Sequence, residues 1–223
     1  MGFRRLHAMV VTTLVAGTLA IGASTVTAAI DPTLGLDPAV DIVDETIGSL
    51  DQVVSAMWVP GGDMLFLTRN GTVRRRNATT GAMTQIASMS VITNWERGAL
   101  DITAAPDIAT SGQYYVYYTP AADALVRVSR FTLGSTAETV VWQHSAGTDG
   151  AHYGGTVNFG PDGMLYISIG DGLANPSNSQ SLSTVHGKIL RINANGTIPT
   201  DNPFYDGTGP NADEIWAYGM RNP

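Results

Sequence analysis

The sequence predicts an all-β fold of four-stranded antiparallel sheets, and three observations predict it. Short runs of β-branched and aromatic residues alternate with strong turn signals. The order of runs and turns recurs three times, at a spacing of about 45 to 60 residues. No segment sustains a long helical period. At 223 residues, 43% hydrophobic and 14% charged, the chain has enough apolar side chain to bury a core.

The first unit takes strands at 53–58, 64–68, 72–76 and 82–86. Its breaks are Pro60-Gly61-Gly62-Asp63, Asn70-Gly71 and the segment 77–81. Asn-Gly is the strongest of these signals, because both central residues of a tight hairpin turn need positive φ. The second unit takes 99–104, a turn at Pro106-Asp107, then 114–118, 125–132 and 139–142. The third takes 156–159, a turn at Pro161-Asp162-Gly163, then 165–169, 188–193, a turn at Asn195-Gly196, and 214–218. Repeated four-stranded meanders are the signature of β-propeller blades. A blade buries its faces only against its neighbours, so three units do not close a ring. The expectation is therefore about three blades of a longer protein, with roughly twice the folded length.

Ahead of the blades, Arg4 and Arg5 precede an uncharged apolar stretch over 8–23 and the small-residue run Val26-Thr27-Ala28. This pattern predicts a signal peptide over 1–28 and a secreted or periplasmic protein. His7 and Ala8 sit where a twin-arginine signal wants bulky apolar residues, which favours the general secretory route. The stretch is too short and too rich in Thr and Gly for a membrane span, so none is expected after cleavage. Residues 29–52 read as a leader with at most a short helix over 41–50, and 53–223 as a partial propeller domain.

A net charge of -7 argues against nucleic acid as partner, since the phosphate backbone calls for a basic face. The one basic run, Arg74-Arg75-Arg76, reads as a solvated strand edge. With no cysteine, disulfides, thiolate nucleophiles and cysteine-bound zinc are excluded together.

In each unit the loop before the innermost strand faces the axis at one rim, where a ligand pocket lies. Those loops carry Glu96, His152 and Arg221 at equivalent positions. An acid, an imidazole and a guanidinium around one axis suit a polar, anionic or redox-active ligand. The structural alternative is a hydrogen-bonded loop histidine, with Gly98 and Gly154-Gly155 serving only crowded inner strands. The run Tyr114–Tyr118 reads as core and inter-blade packing rather than a sugar platform.

Several strings occur in order that together resemble the pyrroloquinoline quinone (PQQ)-dependent soluble glucose/sorbosone dehydrogenases. They are Glu96-Arg97-Gly98-Ala99-Leu100, Tyr114-Tyr115-Val116-Tyr117-Tyr118 with Ser129-Arg130-Phe131, and His152-Tyr153-Gly154-Gly155. Phe159-Gly160-Pro161-Asp162-Gly163, Gly170-Asp171-Gly172, Gly187-Lys188-Ile189-Leu190-Arg191-Ile192 and Gly219-Met220-Arg221-Asn222-Pro223 follow. The resemblance implies a six-bladed propeller with PQQ over the axis and an external electron acceptor. In it His152 matches the general base, Asp171 the carboxylate that orients this imidazole, and Arg221 and Asn222 residues contacting PQQ. Glu96 falls at a polar position near substrate and cofactor.

Two departures stand out. Ala151 replaces the acidic residue of the glucose-oxidising members, which points away from glucose toward another aldose, polyol or aldehyde. Asp101 replaces a small residue, with no sequence-level account. The resemblance also implies Ca2+, with ligands beyond Pro223; the Asn- and Ser-rich segment 171–180 reads as an insertion loop rather than a calcium loop. Two other readings use the same fold: a non-catalytic carbohydrate- or protein-binding propeller, and a calcium-dependent lactone hydrolase.

Overall fold

The structure, a computed structural model, describes residues 10–11, 27–28, 52–145, 151–173 and 175–223. In the first compact unit, β1 (Val10–Val11) and β2 (Thr27–Ala28) form a minimal antiparallel ladder. The rest of the predicted signal peptide and leader, including the short helix over 41–50, lies outside the described residues apart from Gln52.

The second unit contains three four-stranded antiparallel meanders in strict chain order. Blade 1 is β3 (Val53–Trp58), β4 (Met64–Thr68), β5 (Thr72–Arg76) and β6 (Met83–Ser88). Blade 2 is β7 (Ala99–Ala104), β8 (Gln113–Tyr118), β9 (Val126–Thr132) and β10 (Thr139–His144). Blade 3 is β11 (Val157–Phe159), β12 (Leu165–Ile169), β13 (Lys188–Ile192) and β14 (Ile215–Tyr218). The predicted strands fall on these with small shifts at their ends. The last strand of blade 1 starts one residue late because Asn77 N–H bonds the Ala82 carbonyl, which makes Ala82 the closing residue of the turn. Among the described residues, the helical pieces are one turn, α1 (Ile108–Ser111), after Pro106-Asp107 and a 3-10 turn at Pro176–Gln180.

The first strands of the three blades lie side by side, β3 against β7 and β7 against β11. Two apolar clusters fill the gaps between blades. Leu65, Leu67, Val73 and Ile102 pack with Tyr114, Val116 and Tyr118 between blades 1 and 2. Tyr115, Tyr117, Val126 and Val128 pack with Leu165, Ile167, Leu190 and Ile215 between blades 2 and 3. Strand β8 explains its own sequence: side chains alternate between faces, and because both faces are covered, both must be apolar. The tyrosine run is thus inter-blade core.

One expectation is corrected. Arg74-Arg75-Arg76 is not a solvated edge, because β5 is paired on both sides, by β4 and by β6. Arg75 meets Asp63 at 2.6 Å, and all three side chains are half-buried.

The structure also accounts for Asp101, which sits at an irregularity in the β7–β8 pairing. Its Oδ1 accepts from Ser55 Oγ at 2.7 Å and from Ile102 N–H at 2.9 Å, and its Oδ2 from Val157 N–H at 2.9 Å. One carboxylate thereby ties together the innermost strands of all three blades.

Candidate active site

Four segments meet at one rim: the loop 93–98, the loop 151–155, Gly170-Asp171 after β12, and 219–222 after β14. Arg69 builds the first. Its carbonyl accepts from Ala99 N–H at 3.0 Å, and its guanidinium donates to the carbonyls of Arg97 at 3.0 Å, Thr93 at 2.8 Å and Trp95. Three carbonyls on one guanidinium fix the loop that presents Glu96.

The second loop carries His152 in the left-handed region, φ 59°. That conformation costs a non-glycine residue about 1 kcal/mol or more, so neighbouring contacts must hold it. Glu96 Oε2 accepts the His152 N–H at 2.6 Å. Tyr117, from the blade 3 face of β8, donates its hydroxyl to the Tyr153 carbonyl at 2.5 Å. Asn222 Oδ1 accepts Gly154 N–H at 2.9 Å. Gly170 completes the contact, since a Cβ there would lie 1.8 Å from the His152 carbonyl oxygen.

The result is a buried dyad. His152 Nδ1 lies 2.6 Å from Asp171 Oδ1, with the two side chains 7% and 4% exposed. Burial alone would raise the Asp171 carboxyl. The hydrogen bonds from His152 and Leu173 N–H, with the nearby positive charge of Arg221, outweigh it and hold the group below the ordinary carboxylate value. An ionised Asp171 can only accept, so Nδ1 carries the hydrogen and Nε2 is left as the basic atom. Arg221 is held by its own backbone, whose carbonyl accepts Asp171 N–H at 2.8 Å, while its side chain is exposed.

All five residues expected at the site, Glu96, His152, Asp171, Arg221 and Asn222, therefore lie on four segments joined by direct hydrogen bonds. Among the described residues, no three His, Asp or Glu side chains gather as a metal site would need.

The glucose/sorbosone dehydrogenase family profile matches residues 50–223. The aldose sugar dehydrogenase YliI of Escherichia coli is 30% identical over 83% of this chain and 53% of its own length. The PQQ-bound aldose sugar dehydrogenase of Streptomyces coelicolor superposes with a TM-score of 0.67 at 31% identity, over 78% of this chain and 52% of the other. The apo-form of the soluble aldose sugar dehydrogenase of Escherichia coli gives a TM-score of 0.68 at 29% identity, over 78% and 52%. The chain belongs to the glucose/sorbosone dehydrogenase family. It spans about half the length of these relatives.

Besides Arg69, three contributors to the site escaped the sequence. Tyr117 holds the His152 loop from below. Arg97 donates from Nε to Tyr153 Oη at 2.6 Å, with its guanidinium 5.2 Å from that ring's centroid. Lys188, inside a string otherwise read as strand, is completely buried and pairs with Tyr218 just before the segment 219–222. The alternation in β8 signalled that Tyr117 is buried, but nothing in it signals which carbonyl the hydroxyl meets.

Proposed function

We propose that the complete protein is an exported quinoprotein dehydrogenase that oxidises a CH–OH group of an aldose, of a related polyol or of a hydrated aldehyde, and passes electrons to an external acceptor. The observation that carries the reading is the buried His152–Asp171 pair beside the exposed Arg221 and Asn222. The cleavable N-terminal pattern supports export to the periplasm or medium, and the PQQ-bound relative supports the cofactor.

PQQ is a polyanionic quinone, and the side chains at this rim fit it. Arg221 offers an exposed guanidinium to a carboxylate or quinone oxygen. Asn222 spends its Oδ1 on Gly154 N–H, which leaves its amide NH2 as a donor. When bound there, PQQ would supply the two-electron hydride acceptor. The chain's own task is the proton. His152 Nε2 takes it from the substrate hydroxyl, and Asp171 keeps the ring in the required tautomer and stabilises the imidazolium. Ala151 offers no carboxylate to a sugar hydroxyl, which favours substrates other than glucose. Ca2+ is part of the proposal, but no described cluster would hold it, and no step is routed through it.

The test is His152→Ala in the complete protein, assayed with PQQ, calcium, an aldose panel and an artificial electron acceptor. Loss of a positioned base should lower kcat by about 100- to 10,000-fold and leave PQQ affinity within about tenfold. Wild-type-like turnover would remove the base assignment. Absence of PQQ binding by the wild type would replace the enzyme with a binding propeller.

A further inference from the structure

Of the 12 Lys and Arg in the chain, only residue 188 is lysine, and it is 0% exposed. A lysine is almost never fully buried without a partner. No carboxylate among the described residues pairs with it. Its Nζ instead donates to three carbonyls, of His186 at 2.7 Å, Asn178 at 2.8 Å and Ser179 at 3.0 Å. Three acceptors match the three hydrogens of an ammonium, whereas a neutral amine has two and a planar guanidinium has the wrong shape. Burial pushes Lys188 down to about 8, which leaves it protonated at neutral pH.

The cage joins pieces that belong to the site. Asn178 and Ser179 lie in the 3-10 turn Pro176–Gln180, and the Ser179 carbonyl also accepts Gly219 N–H at 2.8 Å. Gly187 accepts from Met220 N–H at 3.0 Å and donates to the Gly170 carbonyl at 2.9 Å. The approach is so close that a Cβ on Gly187 would lie 2.6 Å from both the Met220 carbonyl oxygen and Ser179 Cβ. Arg221 then returns its carbonyl to Asp171. The 3-10 turn, the residue pair 187–188 and the segment 219–221 form one continuous backbone contact, and the ammonium sits at its centre.

We propose that Lys188 is a positioning residue for Arg221 and Asn222, its ammonium clamping the 3-10 turn on which the segment 219–222 rests. This rests on the functional reading above, which assigns the pair to PQQ. Lys188 touches neither cofactor nor substrate. It sets where the guanidinium and amide stand before PQQ arrives, which lowers the ordering cost of binding.

The test uses the complete protein and PQQ itself. Lys188→Met keeps the length and apolar stem but removes the three donors. Titration by quenching of tryptophan fluorescence should show PQQ bound about 10- to 100-fold more weakly, the scale of outer partners that orient a binding group. KM for the sugar at saturating PQQ should stay within about threefold, a split that general destabilisation would not produce. Should the variant fail to fold, the wild type answers alone. By reciprocity, PQQ must slow acylation of Lys188 by an amine-reactive ester, by about fivefold or more, read at that residue by peptide mass spectrometry. PQQ binding unchanged in Lys188→Met, or equal acylation with and without PQQ, overturns the clamp and leaves the functional reading standing. A wild type that binds no PQQ overturns both.

Discussion

The two faces of β8 make different kinds of interface. Toward blade 1, Tyr114, Val116 and Tyr118 give an apolar contact. Tyr114 stacks on Phe131 with ring centroids 5.6 Å apart, and the Tyr118 hydroxyl turns back to Glu138 and Ser129 of its own blade. Toward blade 3 the hydroxyls cross. Tyr115 reaches the Ala194 carbonyl at 3.0 Å and Tyr117 the Tyr153 carbonyl at 2.5 Å. Apolar burial is non-directional, so the β8 side chains on that face fix no particular backbone group of blade 1. A hydrogen bond to a particular carbonyl does fix one. The candidate site lies at the second interface, where the imidazole must be held to within a fraction of an ångström.

The largest expected effect comes from the residue at the centre of that interface. Asp171→Asn keeps the shape but no longer enforces the Nδ1–H tautomer, and kcat should fall by about 100- to 10,000-fold. The same carboxylate carries a pH signature. Its folded pKa is depressed, so its stabilisation is present above the unfolded carboxylate value and is lost as pH falls through the folded one. Denaturant unfolding of wild type and Asp171→Asn should give a stability gap that closes as pH drops through the acid range. A gap that stays constant with pH would remove Asp171 as an ionised partner of His152.

Next in size is the crossing hydroxyl. Tyr117→Phe removes the donor that holds the Tyr153 carbonyl, and the cost is about 1–3 kcal/mol of stability, read by urea unfolding. Because Tyr153 follows the left-handed His152, kcat should fall as well. Stability lost with kcat intact would mean that the latch serves packing alone. Asp101→Ala should cost less, about 1–2 kcal/mol, since Asp101 is only half-buried, although it leaves Ser55 and Val157 without their acceptor.

The difference between the faces also marks how far the sequence could be read. The strands were legible because turn chemistry and side-chain alternation are local, and the unbroken apolar run of β8 announced two covered faces. The convergence of Glu96, His152 and Arg221 was legible because the repeat puts them at equivalent places. What stayed hidden joins a side chain to distant backbone: Tyr117 to residue 153, Asp101 to residue 157, Lys188 to residues 178, 179 and 186. A carbonyl or amide belongs to every residue, so no complementary residue type advertises the partner. Lys188 left one trace, a solitary lysine at the head of a buried strand in a chain that otherwise uses arginine. Arg74-Arg75-Arg76 misled for the opposite reason. Three adjacent charges looked like a strand edge, yet β6 pairs that side and Asp63 takes the middle one.

The smallest expected effect is the control on the other face. Tyr114 is 1% exposed, and its hydroxyl makes no hydrogen bond among the described residues. Burial pushes that hydroxyl up to about 12, so it stays neutral across any working pH. Tyr114→Phe keeps the stack on Phe131 and the fill of the blade 1–2 gap, and it deletes a polar atom that fixes no partner. Replacing such a group by its apolar isostere is close to neutral, so stability should change by less than about 0.5 kcal/mol and kcat not at all. Measured beside Tyr117→Phe, three positions away on the same strand, it isolates the hydroxyl from the ring. Equal losses from both variants would show that the two interfaces are held in the same way, and that position relative to His152 gives the Tyr117 hydroxyl no special role.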